Sequence, residues 1–447
     1  MNGGIVSYSY RKIWLVALPV LVSVLMEHMI GLTDTAFLGR IGEVELGASA
    51  LGSVYFLSIF MLGFGFSIGA QILIARRNGE KRYGEIGKIF YSGLGFLLVL
   101  AAILCGASLL LSPHVLRPVI QSEAVFDATV QYLNWRVFGF FFAFTGVMFR
   151  AFFVGVTQTK ILTVNSVVMV LTNVVLNYAL IFGKFGFPAL GIAGAAIASS
   201  AAELGSAIFY FWYLARRVDL HKYGFSGGLK LFDVTVLRRV FAISCWTMMQ
   251  LFLALSVWFI FFIAVEHLGE RPLAVVNLVR SLSAIPFIIL NSFATAGSSL
   301  VSNLIGEEGP GRVFKLGWKV VGTGYLAVLP VLALLALFPA AALSIYTDNS
   351  DLIAATVPAV YVMIVAHLVQ TPANIWFNIV SGTGSTRAGL VIELITLAVY
   401  LAAVLYLVTY LRCSPAVAWT TEILYQVVML AGCGLYLWKG RWRDRRI

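Results

Sequence analysis

The sequence predicts an all-α polytopic membrane protein, with twelve transmembrane helices in two six-helix bundles related by a pseudo-two-fold axis. Three observations carry that expectation. Of the 447 residues, 60% are hydrophobic and 11% charged, where a soluble domain is about half apolar and a quarter charged. Apolar stretches of about 20 residues, enough to cross a bilayer core as a helix, recur from end to end. Loop residues also repeat at an offset of 227, close to half the chain. The ten-residue alternation of an outer-membrane barrel is absent from the sequence.

The spans follow in order. The first, 12–39, contains the run IWLVALPVLVSVL and follows MNGGIVSYSYRK. No small-residue cleavage site succeeds a short apolar core there, so the segment reads as a retained helix rather than a signal peptide. Spans two and three, 46–74 and 88–111, flank the basic loop ARRNGEKRYGEIGK. Span four, 127–149, runs into RAFFVGVTQTK, and span five, 161–183, leaves it. Span six, 190–215, opens with the small-residue run GIAGAAIASSAAE. The longest polar stretch, ARRVDLHKYGFSGGLKLFDVTVLRR, then leads to span seven at 240–266. Spans eight and nine, 273–304 and 317–338, flank a loop containing IGEEGPGR. Span ten, 353–380, carries HLVQTPANIWFN; spans eleven and twelve, 388–411 and 415–438, follow SGTGSTR and CSPA. The expected domains are an N-terminal lobe at 1–215, a cytoplasmic connector at 216–239 and a C-terminal lobe at 240–447.

With the N-terminus in the cytoplasm, 24 of the 31 Lys and Arg residues fall on inside segments. By the positive-inside rule both termini face the cytoplasm. The net charge of +11 therefore reads as a topology signal within membrane lipid, and no nucleic-acid partner is expected. Cys105, Cys245, Cys413 and Cys433 lie in or beside apolar spans without metal-ligand spacing and read as packing residues.

At the 227 offset, Gly79 of NGEK meets Gly306 of IGEE, and Leu46 meets Leu273. Thr159-Lys160 meets Thr386-Arg387, and Pro188 meets Pro415. The offset equals six spans, an even number, so the copies share one orientation and their axis lies along the membrane normal. Two such bundles around a central cavity suit alternating access by a transporter.

Ionisable groups inside spans are costly and are candidates for function. In MEHMIGLTDTAFLGRIG, Glu27 and Asp34 stand seven residues apart, about 10 Å along one side of a helix. Asp34 falls in the outer half of the bilayer and is too short to reach water freely. Glu27 lies two turns deeper and should be neutral unless paired or hydrated; a packing role serves it equally well. On span five, Asn173 and Asn177 share a face and could orient a carboxylate or ligate a cation; helix–helix hydrogen bonding accounts for them equally well. Ser199 and Ser200 on span six are further ligand candidates, with packing the simpler role. Gln370, Asn374 and Asn378 form a stripe around Pro372, the pattern of a bendable, cavity-lining helix or of a merely kinked one. Arg136, Arg280, Glu203, Glu393 and Glu422 also lie in or near spans, with partners the sequence does not assign. The halves differ in charge. Asp34 falls on Phe261 and Glu27 on Ala254, and span seven has no acid before Glu266 at its outer end. Ion chemistry is therefore expected in the N-terminal half.

LTDTAFLGRIG, RAFFVGVTQTK and its second copy SGTGSTR, set in twelve spans, resemble the multidrug and toxic compound extrusion (MATE) transporters over essentially the whole chain. The branch it is most similar to is the prokaryotic DNA-damage-inducible F-like group, whose essential acid is on span one. The resemblance implies a secondary antiporter of the cytoplasmic (inner) membrane rather than an enzyme. It would export bulky, often cationic organic compounds in exchange for H+ or Na+. Asp34 would be the coupling acid and Asn173 the amide beside it. Asn177 stands where some members carry a second acid, which weakens a two-carboxylate sodium site. Proton coupling through Asp34, or Na+ held by Asp34, Asn173 and Asn177, both remain open. Neutralising Asp34 should repack span one, where Pro19 and Gly31 are weak points. Met26 and Met29 could adapt to varied substrates or serve as core. No cofactor is implied, and a monomer is expected. The rival within transport is a lipid-linked oligosaccharide flippase, which would carry several Arg or Lys residues in its cavity. An intramembrane transferase would need a cluster of His, Asp or Glu, whereas His28, His114, His221, His267 and His367 are scattered.

Overall fold

The structure, a computed structural model, describes residues 8–118, 120, 122–227, 232–439 and 442–443. Among these, every regular element is helical. In chain order the helices are α1 (Tyr10–Leu38), α2 (Glu43–Gly79), α3 (Ile86–Leu116), α4 (Glu123–Arg136), α5 (Gly139–Gly155), α6 (Lys160–Phe182) and α7 (Gly191–Arg217). There follow α8 (Val234–Glu266), α9 (Glu270–Glu308), α10 (Val313–Leu337), α11 (Pro339–Leu343), α12 (Ser350–Gly382), α13 (Thr386–Val404) and α14 (Pro415–Lys439). Eleven membrane-length apolar segments, with α4 and α5 together as the twelfth, make this a twelve-span membrane protein.

Local chemistry explains several boundaries. The Ser122 side chain accepts from Val125 N at the start of α4, and Asn349 accepts from Asp351 N and Leu352 N at the start of α12. Gly183 ends α6 with φ of 67°, in the left-handed region that glycine enters without steric cost. Span four departs from the single uninterrupted helix expected over 127–149. It breaks at Val137–Phe138, and its halves meet at 53°. Arg150, expected in a loop, lies inside α5. The sequence has no proline at this break, and Gly139 follows it directly.

The chain divides into two compact units, one comprising Val22–Met248 and the other Met1–Leu21 with Met249–Ile447. Both boundaries fall within helices. In the Val22–Met248 unit, the first turns of α8 pack on α2: Ser244 Oγ donates to Phe66 O at 2.9 Å and Thr247 Oγ1 to Gly65 O at 2.7 Å. An aromatic cluster of Phe90, Phe149, Phe152, Phe153 and Tyr210 fills the space between α3, α5 and α7. In the other unit, Trp14 meets Phe293 edge-on at 5.1 Å, and the Tyr8 hydroxyl donates to Glu307 at 2.9 Å.

The repeat read from loops also appears in packing within each unit. Gly155, at the end of α5, lies so near α2 that a Cβ there would be 3.2 Å from the backbone oxygen of Gln71. Gly382, at the end of α12, stands in the same relation to the backbone oxygen of Ser298 on α9, at 2.5 Å. Both pairs are related by 227. Thr159 and Thr386, matched at that offset, are both buried.

Candidate functional site

Asp34 lies one turn before the end of α1 and meets residues of α6 and α7. Asn177 Nδ2 donates to Asp34 Oδ1 at 2.5 Å, and Ser199 Oγ donates to Asp34 Oδ2 at 2.9 Å. Asn177 Nδ2 also donates to Asn173 Oδ1 at 3.0 Å, and Asn173 Nδ2 donates to Ser199 Oγ at 3.2 Å. The four side chains form a closed ring. Both asparagines are fully buried. Their i, i+4 spacing puts the amides on one face of α6. The small residues of α7 let that helix approach closely: a Cβ on Gly194 would sit 2.6 Å from Leu180 O. The acid thus receives two hydrogen bonds, both from neutral side chains. Asn177 Oδ1, by contrast, is buried with no hydrogen-bond partner.

Beside the ring lies a buried ion pair whose members the sequence marks without matching. Arg136 Nη2 donates to Glu203 Oε1 at 2.6 Å and Nη1 to Oε2 at 2.9 Å. The guanidinium carbon lies 3.5 Å from the centre of the Phe56 ring. Gly139, the first residue of α5, makes room for the pair; a Cβ there would be 2.1 Å from Arg136 Nη1 and 2.6 Å from Glu203 Oε2. The break in span four therefore coincides with a bidentate ion pair seated against a glycine.

Glu27 is paired, and not with the ring. Arg150 Nη1 lies 3.3 Å from its Oε2, and Ser23 Oγ donates to its Oε1 at 3.1 Å while contacting Ser166 Oγ at 2.7 Å. The Glu27 side chain is 38% exposed and that of Arg150 17%, so the pair is not sealed from its surroundings. Glu27→Gln is expected to leave efflux from intact cells near the unaltered level at matched expression; a loss as deep as that of an Asp34 variant would give Glu27 a working part. Met26 is half-buried and Met29 is 55% exposed. Gln370 and Asn374 lie on α12 in the other unit, half-buried, and Asn378 Nδ2 donates to Asn374 Oδ1 at 2.9 Å.

That other unit holds two further acids outside span seven, Glu393, which is buried, and Glu422, which is half-buried. Tyr400 OH donates to Glu422 Oε1 at 2.7 Å, and Tyr425 OH donates to Glu393 Oε1 at 2.5 Å. Tyr400 is the residue matched to Asn173 by the 227 offset, and its ring lies 6.3 Å from that of Phe261, the match of Asp34. Beside the position that mirrors Asn173 there is thus a carboxylate, supplied by α14 rather than α8. Helix-by-helix alignment of the halves misses an acid that has moved to a different helix. Arg280 faces Trp258 and Phe262 in the same unit, 6.0 and 5.5 Å from their ring centres.

Comparison with known proteins places these features in context. The family model described as MatE matches residues 19–179 and 247–407, two stretches of equal length whose offset is within one residue of the internal repeat. A probable multidrug resistance protein NorM of Neisseria meningitidis is 27% identical over 354 residues, covering 78% of this chain and 76% of the relative. The multidrug resistance protein MdtK of Photorhabdus laumondii is 23% identical over 350 residues, covering 77% and 75%. Among solved structures, an outward-facing multidrug resistance MATE family transporter of the MOP superfamily superposes with a TM-score of 0.89 at 17% identity, covering 98% of this chain and 97% of that one. A MOP superfamily transporter from Pyrococcus furiosus gives 0.86 at 18% identity, covering 96% and 94%.

Proposed function

This chain belongs to the MatE family of membrane transporters, and we propose that it is a proton-coupled exporter of bulky organic compounds with Asp34 as the coupling acid. The multidrug resistance names of its relatives support the substrate class. One observation carries the coupling role: Asp34, a carboxylate in a membrane span, is held by the neutral Asn177 and Ser199 and, among the described residues, by no directly bonded cation, whereas Glu27 pairs with Arg150 and Glu203 with Arg136.

The ring relates protonation to helix packing. Ionised Asp34 accepts from both neighbours. Protonated Asp34 has an O–H that needs an acceptor, and that oxygen accepts only weakly. Asn177 Oδ1, buried and without a partner, supplies such an acceptor once its amide turns over. Turning the amide also ends its donation to Asn173, so one proton reorders the bonds joining α1, α6 and α7. Gly31, where a Cβ would meet nothing within 4 Å, leaves α1 room to adjust nearby. Substrate and proton then bias one two-state equilibrium in opposite directions, which gives exchange. The distribution of Lys and Arg supports both termini in the cytoplasm and insertion in the inner membrane. The ring is complete within one chain, which supports a monomeric transporter.

A sodium-coupled version draws on the same orphaned Asn177 Oδ1, since a hard cation takes oxygen ligands and Asp34 and Asn173 Oδ1 lie beside it. Purified protein in liposomes separates the two. An imposed pH gradient is expected to drive substrate efflux and a sodium gradient at fixed pH to leave it unchanged. Efflux driven by sodium alone would replace the proton with Na+; efflux driven by neither would remove the antiport reading.

A further inference from the structure

The Arg136–Glu203 pair sits beside the Asp34 ring without being bonded into it. Arg136 is fixed from three sides: Glu203 takes it in a bidentate grip, Phe56 covers one face, and Gly139 leaves the space it occupies. Both side chains are largely inaccessible, at 11% and 16%. On α7, Glu203 follows Ser199 by four residues and so stands on the same helix face as the hydroxyl that holds Asp34. Among the described residues, the ionisable groups electrostatically coupled to Asp34 come from two helices. Arg136 and Tyr132 belong to α4 and Glu203 to α7, while α6 contributes the neutral Asn173 and Asn177.

A buried guanidinium stripped of its carboxylate seeks another, because an unpaired charge is strongly disfavoured in a dry interior. Beside Arg136, Asp34 is the acid that could replace Glu203. An Asp34 paired in that way would be held ionised and could not cycle a proton. We infer that Arg136 and Glu203 are positioning residues for coupling: Glu203 occupies Arg136 so that Asp34 keeps an exchangeable proton, and the Arg136 charge sets how readily that proton leaves. This rests on the reading of Asp34 as the coupling acid.

The test is the proton concentration that gives half-maximal substrate efflux from reconstituted liposomes. Glu203→Gln frees Arg136 for Asp34 and is expected to raise that concentration about tenfold, the change that one pH unit represents. The double variant Arg136→Gln with Glu203→Gln removes both charges isosterically and is expected to lower it, because the cation that favours ionised Asp34 is gone. A purely structural pair would reduce the amount or melting temperature of both variants and leave their proton dependence unmoved, which would overturn the inference. If Glu203→Gln alone does not fold, the double variant decides on the direction of its shift. Asp34→Asn runs alongside. Full transport by Asp34→Asn removes the underlying reading. A silent Asp34→Asn with unmoved proton dependence in the other variants removes only the role of the pair.

Discussion

Asp34→Asn is expected to reduce export to the level of cells lacking the transporter, with the protein still inserted and as stable to heat as before. The two effects separate because asparagine matches aspartate in shape. Its Oδ1 still accepts from Asn177, which lies 2.5 Å from Asp34 Oδ1. Its amide takes the place of Oδ2 opposite Ser199, whose hydroxyl turns to accept rather than donate. The contacts of α1 with α6 and α7 therefore persist, and only the charge and the proton are lost. Drug resistance in a pump-deficient host, read together with membrane abundance and thermal unfolding, checks both halves. Full resistance from a well-expressed variant would end the coupling role.

The second large effect is on stability, and it differs between the two copies of one motif. Gly382→Ala is expected to destabilise by about 3 kcal/mol and Gly155→Ala by about 1 kcal/mol, the upper and lower ends of the cost of overpacking. At Gly382 the new Cβ would lie 2.5 Å from the Ser298 backbone oxygen and 2.9 Å from its Cα, so two helix backbones must part. At Gly155 the nearest atoms are Ile74 Cγ2 at 2.7 Å and Ile74 Cβ at 3.1 Å, with the Gln71 oxygen at 3.2 Å, so the closest encounter is with a side chain and the backbone approach is wider than at Gly382. Thermal unfolding of the two purified variants should show the larger drop for Gly382→Ala. Equal drops would mean that the helices yield more readily than their spacing indicates.

Much of the site is legible in the sequence. Asp34 stood out because an acid in an apolar span is expensive, and Asn173 with Asn177 because their spacing puts two amides on one helical face. The small residues around Ser199 marked a face that another helix could approach. All four side chains meet in the structure. The partners of the remaining charged groups were not legible. Arg136 and Glu203 lie 67 residues apart, and no local pattern joins them. Glu27 could be neutral or paired by its sequence alone, and it is the approach of Arg150 that decides. Glu422 escaped notice as the counterpart of the first site because it occupies a different helix from the one that symmetry pointed to.

The amino-acid sequence by itself determined the solvent, the number of crossings and the two-fold repeat. These depend on local quantities: the run of apolar side chains that a bilayer demands, and loop residues that recur at one offset. Tertiary structure alone decided which buried polar groups satisfy one another, and where span four breaks to admit Arg136 against Gly139. Those outcomes depend on distances of a few ångströms between helices far apart in the chain. A carboxylate in a span announces that it needs a partner, but only the packing of the helices selects which one it has.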